Sequence, residues 1–204
     1  MAIELVAFDL DGTLVRGATC VEAIARRIGR SEGVASLERL SMRDVEGVSS
    51  AREAMAGWFN DYSDEELVAG LADLSQAPGT ERAFAILRSH GIATAIVSIT
   101  WIVAVEWFAG RLGADYAHGT RHLPTGIDHV WPADKGRWLE DLSGKVNLHR
   151  HQVAAVGDSD NDRELLEAAG LRFFVGEAPP AIPDVVHLPD ADMEGITWRI
   201  VVAD

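Results

Sequence analysis

The chain has 204 residues, 48% hydrophobic and 25% charged, which suits a soluble globular protein built as one domain or as a domain with an insertion. A formal net charge of −14 without a basic cluster argues against a nucleic-acid partner or an anionic membrane surface. Cys20 is the only cysteine, so no internal disulfide can form and a reducing cytoplasm is the expected location.

The N-terminus runs straight into "IELVAFDLDG", with no basic leader and no long apolar stretch, so neither a signal peptide nor a membrane span is expected. "ELVAF" is the first of four short apolar runs without alternation, the pattern of strands buried on both faces. It ends in "FDLDGTLV", where Asp9 and Asp11 stand two positions apart. Side chains at i and i+2 of an extended chain share a face, so both acids point the same way. Carboxylates that close repel unless a positive charge sits between them.

From about residue 14 to residue 77 the patterns are helical, with Val21, Ile24, Ala25 and Ile28 on one face and no convincing strand. Such a length exceeds an ordinary connection. It reads as a small helical cap, 14–77, inserted over the C-terminal edge of a sheet formed by 1–13 and 78–204. A helix is expected over Thr80 to Ser89, started after "PGT" and stopped at Gly91. The second run, "IATAIV", ends at Ser98; "ADKG" opens a helix carrying Lys135; the third run, "QVAAVG", ends at Asp158. "GDSDND" adds Asp160, Asn161 and Asp162, and "LRFFV" is the fourth run. Strands alternating with helices predict an α/β fold, a doubly wound, Rossmann-like parallel sheet.

In such a sheet the strand ends at Asp9, Ser98 and Asp158 lie side by side, at the edge where ligands bind. A concentration of carboxylates needs a cation, and oxygen-only ligation without cysteine or paired histidines favours magnesium. Lys135 at a helix start opposes the helix dipole, so a local structural role explains it poorly. Lys145 is its weaker rival. Asp160 reads as a solvated loop residue, and His149 and His151 as a surface loop. Trp101, Trp107 and Trp138 read as packing. Magnesium, a lysine, a serine hydroxyl and a spare carboxylate together make a phosphoryl-transfer set.

"DLDGT", the strand-terminal Ser98, Lys135 and "GDSDND" resemble, in order, the four motifs of the haloacid dehalogenase (HAD) superfamily, and the resemblance spans nearly the whole chain. The helical insertion after the first motif points to the phosphoserine phosphatase-like branch. The resemblance implies that Asp9 is a nucleophile forming an aspartyl-phosphate, and that Asp11 protonates the leaving oxygen and then deprotonates water. It implies magnesium on the Asp9 carboxylate, the Asp11 carbonyl and Asp158, with Asp162 as a further ligand or just beyond. Ser98 and Lys135 are expected on the phosphoryl oxygens, with Asn161 and Thr13 in support. The implied reaction is hydrolysis of a small phosphomonoester. Transfer to an alcohol, as in a phosphotransferase or mutase, is the alternative, followed by a non-catalytic phosphate-binding module.

The chain departs from the phosphoserine-specific pattern. Ala18 stands where that branch carries a glutamate for the substrate ammonium, and Glu22 lies a helical turn later. Ile99 and Thr100 replace glycines after the second motif. Arg52 or Arg43 could serve as a cap arginine, Arg16 could add a further contact, and Trp58 could face a ring. These features predict a substrate other than phosphoserine, with an extra anionic or hydroxylated part. The oligomeric state stays open between monomer and homodimer.

Overall fold

The structure is a computed structural model that describes residues 2–37 and 40–203. In chain order, β1 (Leu5–Phe8) is buried along its whole length. Val6 and Phe8 enter one apolar layer, Leu5 and Ala7 the other, as a strand covered on both faces requires. The chain leaves the sheet through β2 (Val15–Arg16) and runs through α1 (Cys20–Arg27), α2 (Ser31–Leu37), α3 (Val45–Phe59) and α4 (Asp64–Val68). It returns through β3 (Ser75–Gln76), then α5 (Thr80–Ser89), β4 (Ala93–Trp101) and α6 (Ile102–Leu112). β5 (Tyr116–Leu123), β6 (Gly126–Asp128) and α7 (Pro132–Lys145) follow. The last elements are β7 (Val153–Gly157), α8 (Arg163–Ala168), β8 (Leu171–Phe174), β9 (Val185–His187) and α9 (Met193–Val201).

Seven strands form one sheet in the order β6-β5-β4-β1-β7-β8-β9, parallel except for β6. β1 lies at its centre, paired with β4 and β7, so the chain ends that follow β1 and β7 emerge side by side. The fold is the α/β doubly wound sheet expected from the sequence, and the four apolar runs are β1, β4, β7 and β8. β5, β6 and β9 were not legible as apolar runs. "YAHGTRHL" of β5 is polar and partly exposed, while β6 and β9 have only 3 residues each, towards the sheet edges.

Two corrections concern the strands. The 14–77 stretch is not free of strand, because β2 and β3 pair antiparallel at its two ends, and the Ala77 N–H donates to the Leu14 carbonyl at 2.9 Å. Each strand has 2 residues, too few to show a period. β4 does not stop at Ser98 but continues to Trp101, its register against β5 shifting between Val97 and Trp101. That irregularity turns Ser98 and Thr100 out of the regular ladder, as a bulge does near a binding edge.

Apolar contacts run unbroken from the sheet into the insertion. Ile24 of α1 and Met55, Ala56 and Phe59 of α3 share one buried cluster with Phe8, Phe84 and Trp101. On α3 the buried stripe Val48, Ala51, Arg52, Met55, Ala56 and Phe59 follows helical spacing, and Phe59 meets Trp101 edge-on at 5.2 Å. Trp107 packs against Phe108, and Trp138 stacks on His118. Among the described residues no helix is long and apolar enough to cross a membrane.

Candidate active site

The loop after β1 turns at Gly12, whose φ of +95° lies in the left-handed region. A Cβ there would also collide with the Asp158 carboxylate, so glycine is needed for both conformation and space. This turn brings Asp9, at 4% exposure, beside the loop that follows β7. Oxygens of Asp9, Asp158 and Asp162 lie within 4.8 Å of one another. Lys135, in the first turn of α7 and 1% exposed, places Nζ 2.6 Å from both Asp9 Oδ1 and Asp162 Oδ1.

Two further carboxylate oxygens of the cluster have hydrogen-bond donors. Asp162 Oδ2 accepts from the amides of Asp158 and Ser159, both at 3.0 Å, and from the Ser159 hydroxyl at 3.2 Å. The Thr13 hydroxyl donates to Asp158 Oδ1 at 2.9 Å, so the structure directs Thr13 to a carboxylate and not toward the cavity. Burial, and then the Asp162 charge, raise the pKa of Asp158 to about 6 and push that of Asp9 well up; Lys135 offsets only part of this. Burial works against the Lys135 ammonium, but Asp162 and Asp9 outweigh it and hold its pKa above the ordinary lysine value. Three carboxylates around one ammonium leave an excess of negative charge. An all-oxygen donor set so charged fits a hard divalent cation such as magnesium.

The Asp11 carboxylate stands apart from this cluster. Its Oδ1 accepts from the Cys20 amide at 2.7 Å, the first turn of α1. α1 starts there because Thr19 and Glu22 form a reciprocal cap, the Glu22 carboxylate accepting from the Thr19 amide at 2.9 Å and the Thr19 hydroxyl from the Glu22 amide at 3.2 Å. Burial raises the pKa of Asp11, and hydrogen bonds from Cys20 only moderate the rise. The Cys20 thiol is held far from ionisation by burial and by Asp11.

A cavity of about 530 Å³ opens over these groups. Asp9, Asp11, Ser98, Lys135, Asp158 and Asn161 form its polar end. The buried Ser98 Oγ accepts from the Thr100 amide at 3.3 Å. Residues of α1 and α3, among them Val21, Val48 and Met55, line it as well.

Of the four insertion residues singled out from sequence, Arg16, Arg43, Arg52 and Trp58, the structure brings only Arg52 to this cavity; Arg43 is exposed and outside the lining. Its Nη2 donates to the carbonyls of Ile99 at 2.9 Å and Val130 at 3.0 Å, and its Nη1 to His129 Nδ1 at 3.2 Å. The guanidinium also lies over the Trp131 ring at 4.9 Å. Arg52 therefore ties α3 to the strand end at Ile99 and to the approach to α7. Burial lowers its pKa to about 10, which leaves it charged at neutral pH. Arg16 points the other way, donating to the Ala191 carbonyl at 3.1 Å and lying 3.5 Å from Asp190. Trp58 packs under Arg30 and against Gly33, outside the cavity lining.

Sequence reasoning missed the anchoring of Asp11 by α1, although "TCVE" spells the capping pattern that would have placed a helix start there. It also missed Thr100, whose buried hydroxyl faces Asp11 and has no partner at hydrogen-bond distance. No local pattern announces such a residue.

A profile of haloacid dehalogenase-like hydrolases matches residues 3–170. The phosphoserine phosphatase of Methanocaldococcus jannaschii is 25% identical over 178 residues, covering 83% of this chain and 84% of that protein. That of Polaromonas sp. is 28% identical over 184 residues, covering 82% and 77%. Among solved structures, a phospho-aspartyl intermediate analogue of phosphoserine phosphatase superposes with a TM-score of 0.76 at 24% identity, over 98% of this chain and 100% of the other. At that identity the superposition speaks for the fold alone. With the profile spanning most of the sheet and the whole insertion, the chain belongs to the haloacid dehalogenase-like hydrolases, on their phosphoserine phosphatase-like branch.

Proposed function

We propose that this hydrolase is a magnesium-dependent phosphatase of small phosphomonoesters that works through an aspartyl-phosphate on Asp9. The observation that carries this reading is the buried group of Asp9, Asp158 and Asp162 around Lys135, at the floor of the cavity. Residues 1–13 and 78–204 act as the catalytic core and 14–77 as the cap. The phosphoserine phosphatases among its relatives support a phosphate ester as the substrate class.

Asp9 attacks phosphorus, the ester oxygen departs with a proton from Asp11, and the phosphoryl group stays on the Asp9 carboxylate. Asp11, now ionised, takes a proton from the incoming water, whose oxygen attacks phosphorus, releases inorganic phosphate and frees Asp9. The raised pKa of Asp11 favours its arrival in the protonated form the first step needs. Lys135 draws the Asp9 pKa back down against the rise that burial causes and, with Ser98, meets the charge that grows on the phosphoryl oxygens. Thr13 and the amides around Asp162 hold the loop carboxylates in place. Asp9 and Asp158 would hold magnesium, which when bound would supply Lewis-acid neutralisation of phosphoryl charge.

The test is release of inorganic phosphate from p-nitrophenyl phosphate with magnesium present, for the native chain and for Asp9→Asn. Turnover by the native chain, absent from a folded Asp9→Asn, is the expected result. Comparable turnover by both would overturn the covalent mechanism.

A further inference from the structure

The polar end of the cavity is addressed to phosphate, which every ester shares, so substrate choice rests with the other end. Five charged side chains line the cavity among the described residues: Asp9, Asp11, Lys135, Asp158 and Arg52. The first four belong to the phosphate end. Arg52 has both Nη2 donors on carbonyls, Nη1 on His129 and its face on Trp131, so the fork that would grip a carboxylate is closed.

No described lining residue offers a carboxylate to an ammonium either. Glu22 spends its carboxylate on the cap of α1 and stands outside the lining, and Ala18 has no polar side chain. What α1, α3 and the end of β4 do present is Val21, Val48, Met55 and Trp101, with Met42 from the segment before α3. Beside them the lining holds the hydroxyl-bearing Thr19, Ser41 and Thr100 and no further charge, so an amino acid or acid placed there would lose water without gaining a charged partner. An apolar group would gain by burial.

Resting on the phosphatase reading, we propose that the organic half of the substrate is uncharged and apolar: the cavity takes the phosphate monoester of an alkyl or aryl alcohol. This replaces the expectation of an extra anionic or hydroxylated part, which leaned on Arg16, Arg43 and Arg52, with Trp58 against a ring or sugar face. Met55 and the other long side chains give a wall that adapts to shape more than it dictates it. Discrimination within the class is by length and bulk.

The experiment measures kcat/KM with magnesium for methyl, propyl and hexyl phosphate, for phosphoserine, 3-phosphoglycerate and glucose 6-phosphate, and for p-nitrophenyl phosphate. Each methylene buried in the transition-state complex raises kcat/KM about fourfold, the equivalent of ~0.8 kcal/mol, until the cavity is full. Hexyl phosphate is therefore expected to exceed the three charged or polyhydroxylated substrates at least tenfold. Val21→Asp, in the first turn of α1 where an acid suits the helix, lowers the hexyl-to-methyl ratio at least tenfold. A flat alkyl series, an unchanged ratio in Val21→Asp, or a charged or sugar ester on top overturns the proposal while leaving the phosphatase reading intact. Failure to turn over any ester, p-nitrophenyl phosphate included, overturns the phosphatase reading and this proposal with it.

Discussion

Changing Lys135 to methionine keeps a similar volume and deletes the one ammonium of the acidic cluster. In the native protein Nζ lies 2.6 Å from Asp9 and from Asp162 at 1% exposure. Removing one partner of a buried ion pair costs about 3–5 kcal/mol. For a chain of this length each kcal/mol lowers Tm by about 2–4 °C, so a loss of about 6–20 °C is expected. The carboxylates escape part of that cost by taking up protons. Burial and Asp162 already hold Asp9 and Asp158 above the ordinary aspartate value, Asp158 at about 6 against 3.8, and without Lys135 both rise further. A folded-state pKa above the unfolded one means that the native state binds more protons, so stability falls as pH climbs from about 4 through the raised value. For Asp158 alone the shift of about 2 units corresponds to about 3 kcal/mol between the two ends. The Tm deficit of Lys135→Met should thus be small near pH 4.5 and full near pH 8, measured by thermal unfolding in chelator. Equal deficits at both pH values would refute the electrostatic account of this residue.

The remaining expectations concern the same cluster and its lid. Asp9→Asn should lose at least about 1,000-fold in kcat while its unfolding curve stays close to native, and beryllium trifluoride, which mimics an acyl-phosphate, should bind the native chain and miss the variant. Exhaustive chelation should abolish phosphatase turnover, with magnesium restoring it and calcium doing so poorly because its shell is larger and looser; full activity in chelator would refute the metal requirement. Thr13→Val removes a hydrogen bond to a charged group worth about 1.5–3 kcal/mol, so half-saturation by magnesium should rise at least about tenfold, read by titration of activity and of Tm. Arg52→Leu should lower kcat/KM for every ester, p-nitrophenyl phosphate included, because the carbonyls of Ile99 and Val130 lose their donor; a loss confined to carboxylate-bearing esters would show that Arg52 reads substrate.

The central sheet was legible because β1, β4, β7 and β8 are covered on both faces and read as unbroken apolar runs. Asp9 and Asp158 follow β1 and β7 directly, so locating those strands located these carboxylates. Lys135 was legible from its mismatch with the helix dipole, which marks a charge placed for something other than its helix. β5, β6 and β9 were hidden by their polarity and shortness. The insertion residues were the least legible, since a side chain's direction in space is set by packing that no local pattern records. Arg16, Arg52 and Trp58 were similar in the sequence, as residues suited to a substrate. The structure gives them different partners: Ala191 and Asp190, the carbonyls of Ile99 and Val130, and Arg30 with Gly33.

Those partners bear on how the insertion works. α1 holds Asp11 through the Cys20 amide, and α3 holds the backbone beside Ser98 through Arg52. Both grips fall on residues that line the cavity, and an apolar cluster shared with the sheet joins the same two helices to the core. Moving the insertion away would therefore release the acid and loosen the strand end that carries Ser98, besides admitting water. A closed insertion completes the site in the sense that its own backbone and side chains fix groups of the core. Binding energy gained along Val21, Val48 and Met55 favours that closed state, so contacts with the organic half of a substrate can raise kcat as well as lower KM. In the alkyl series this predicts that kcat climbs with chain length alongside kcat/KM. If the walls merely held substrate, KM alone would change, and a kcat that stays level from methyl to hexyl phosphate would separate the insertion's grip on Asp11 from its role in binding.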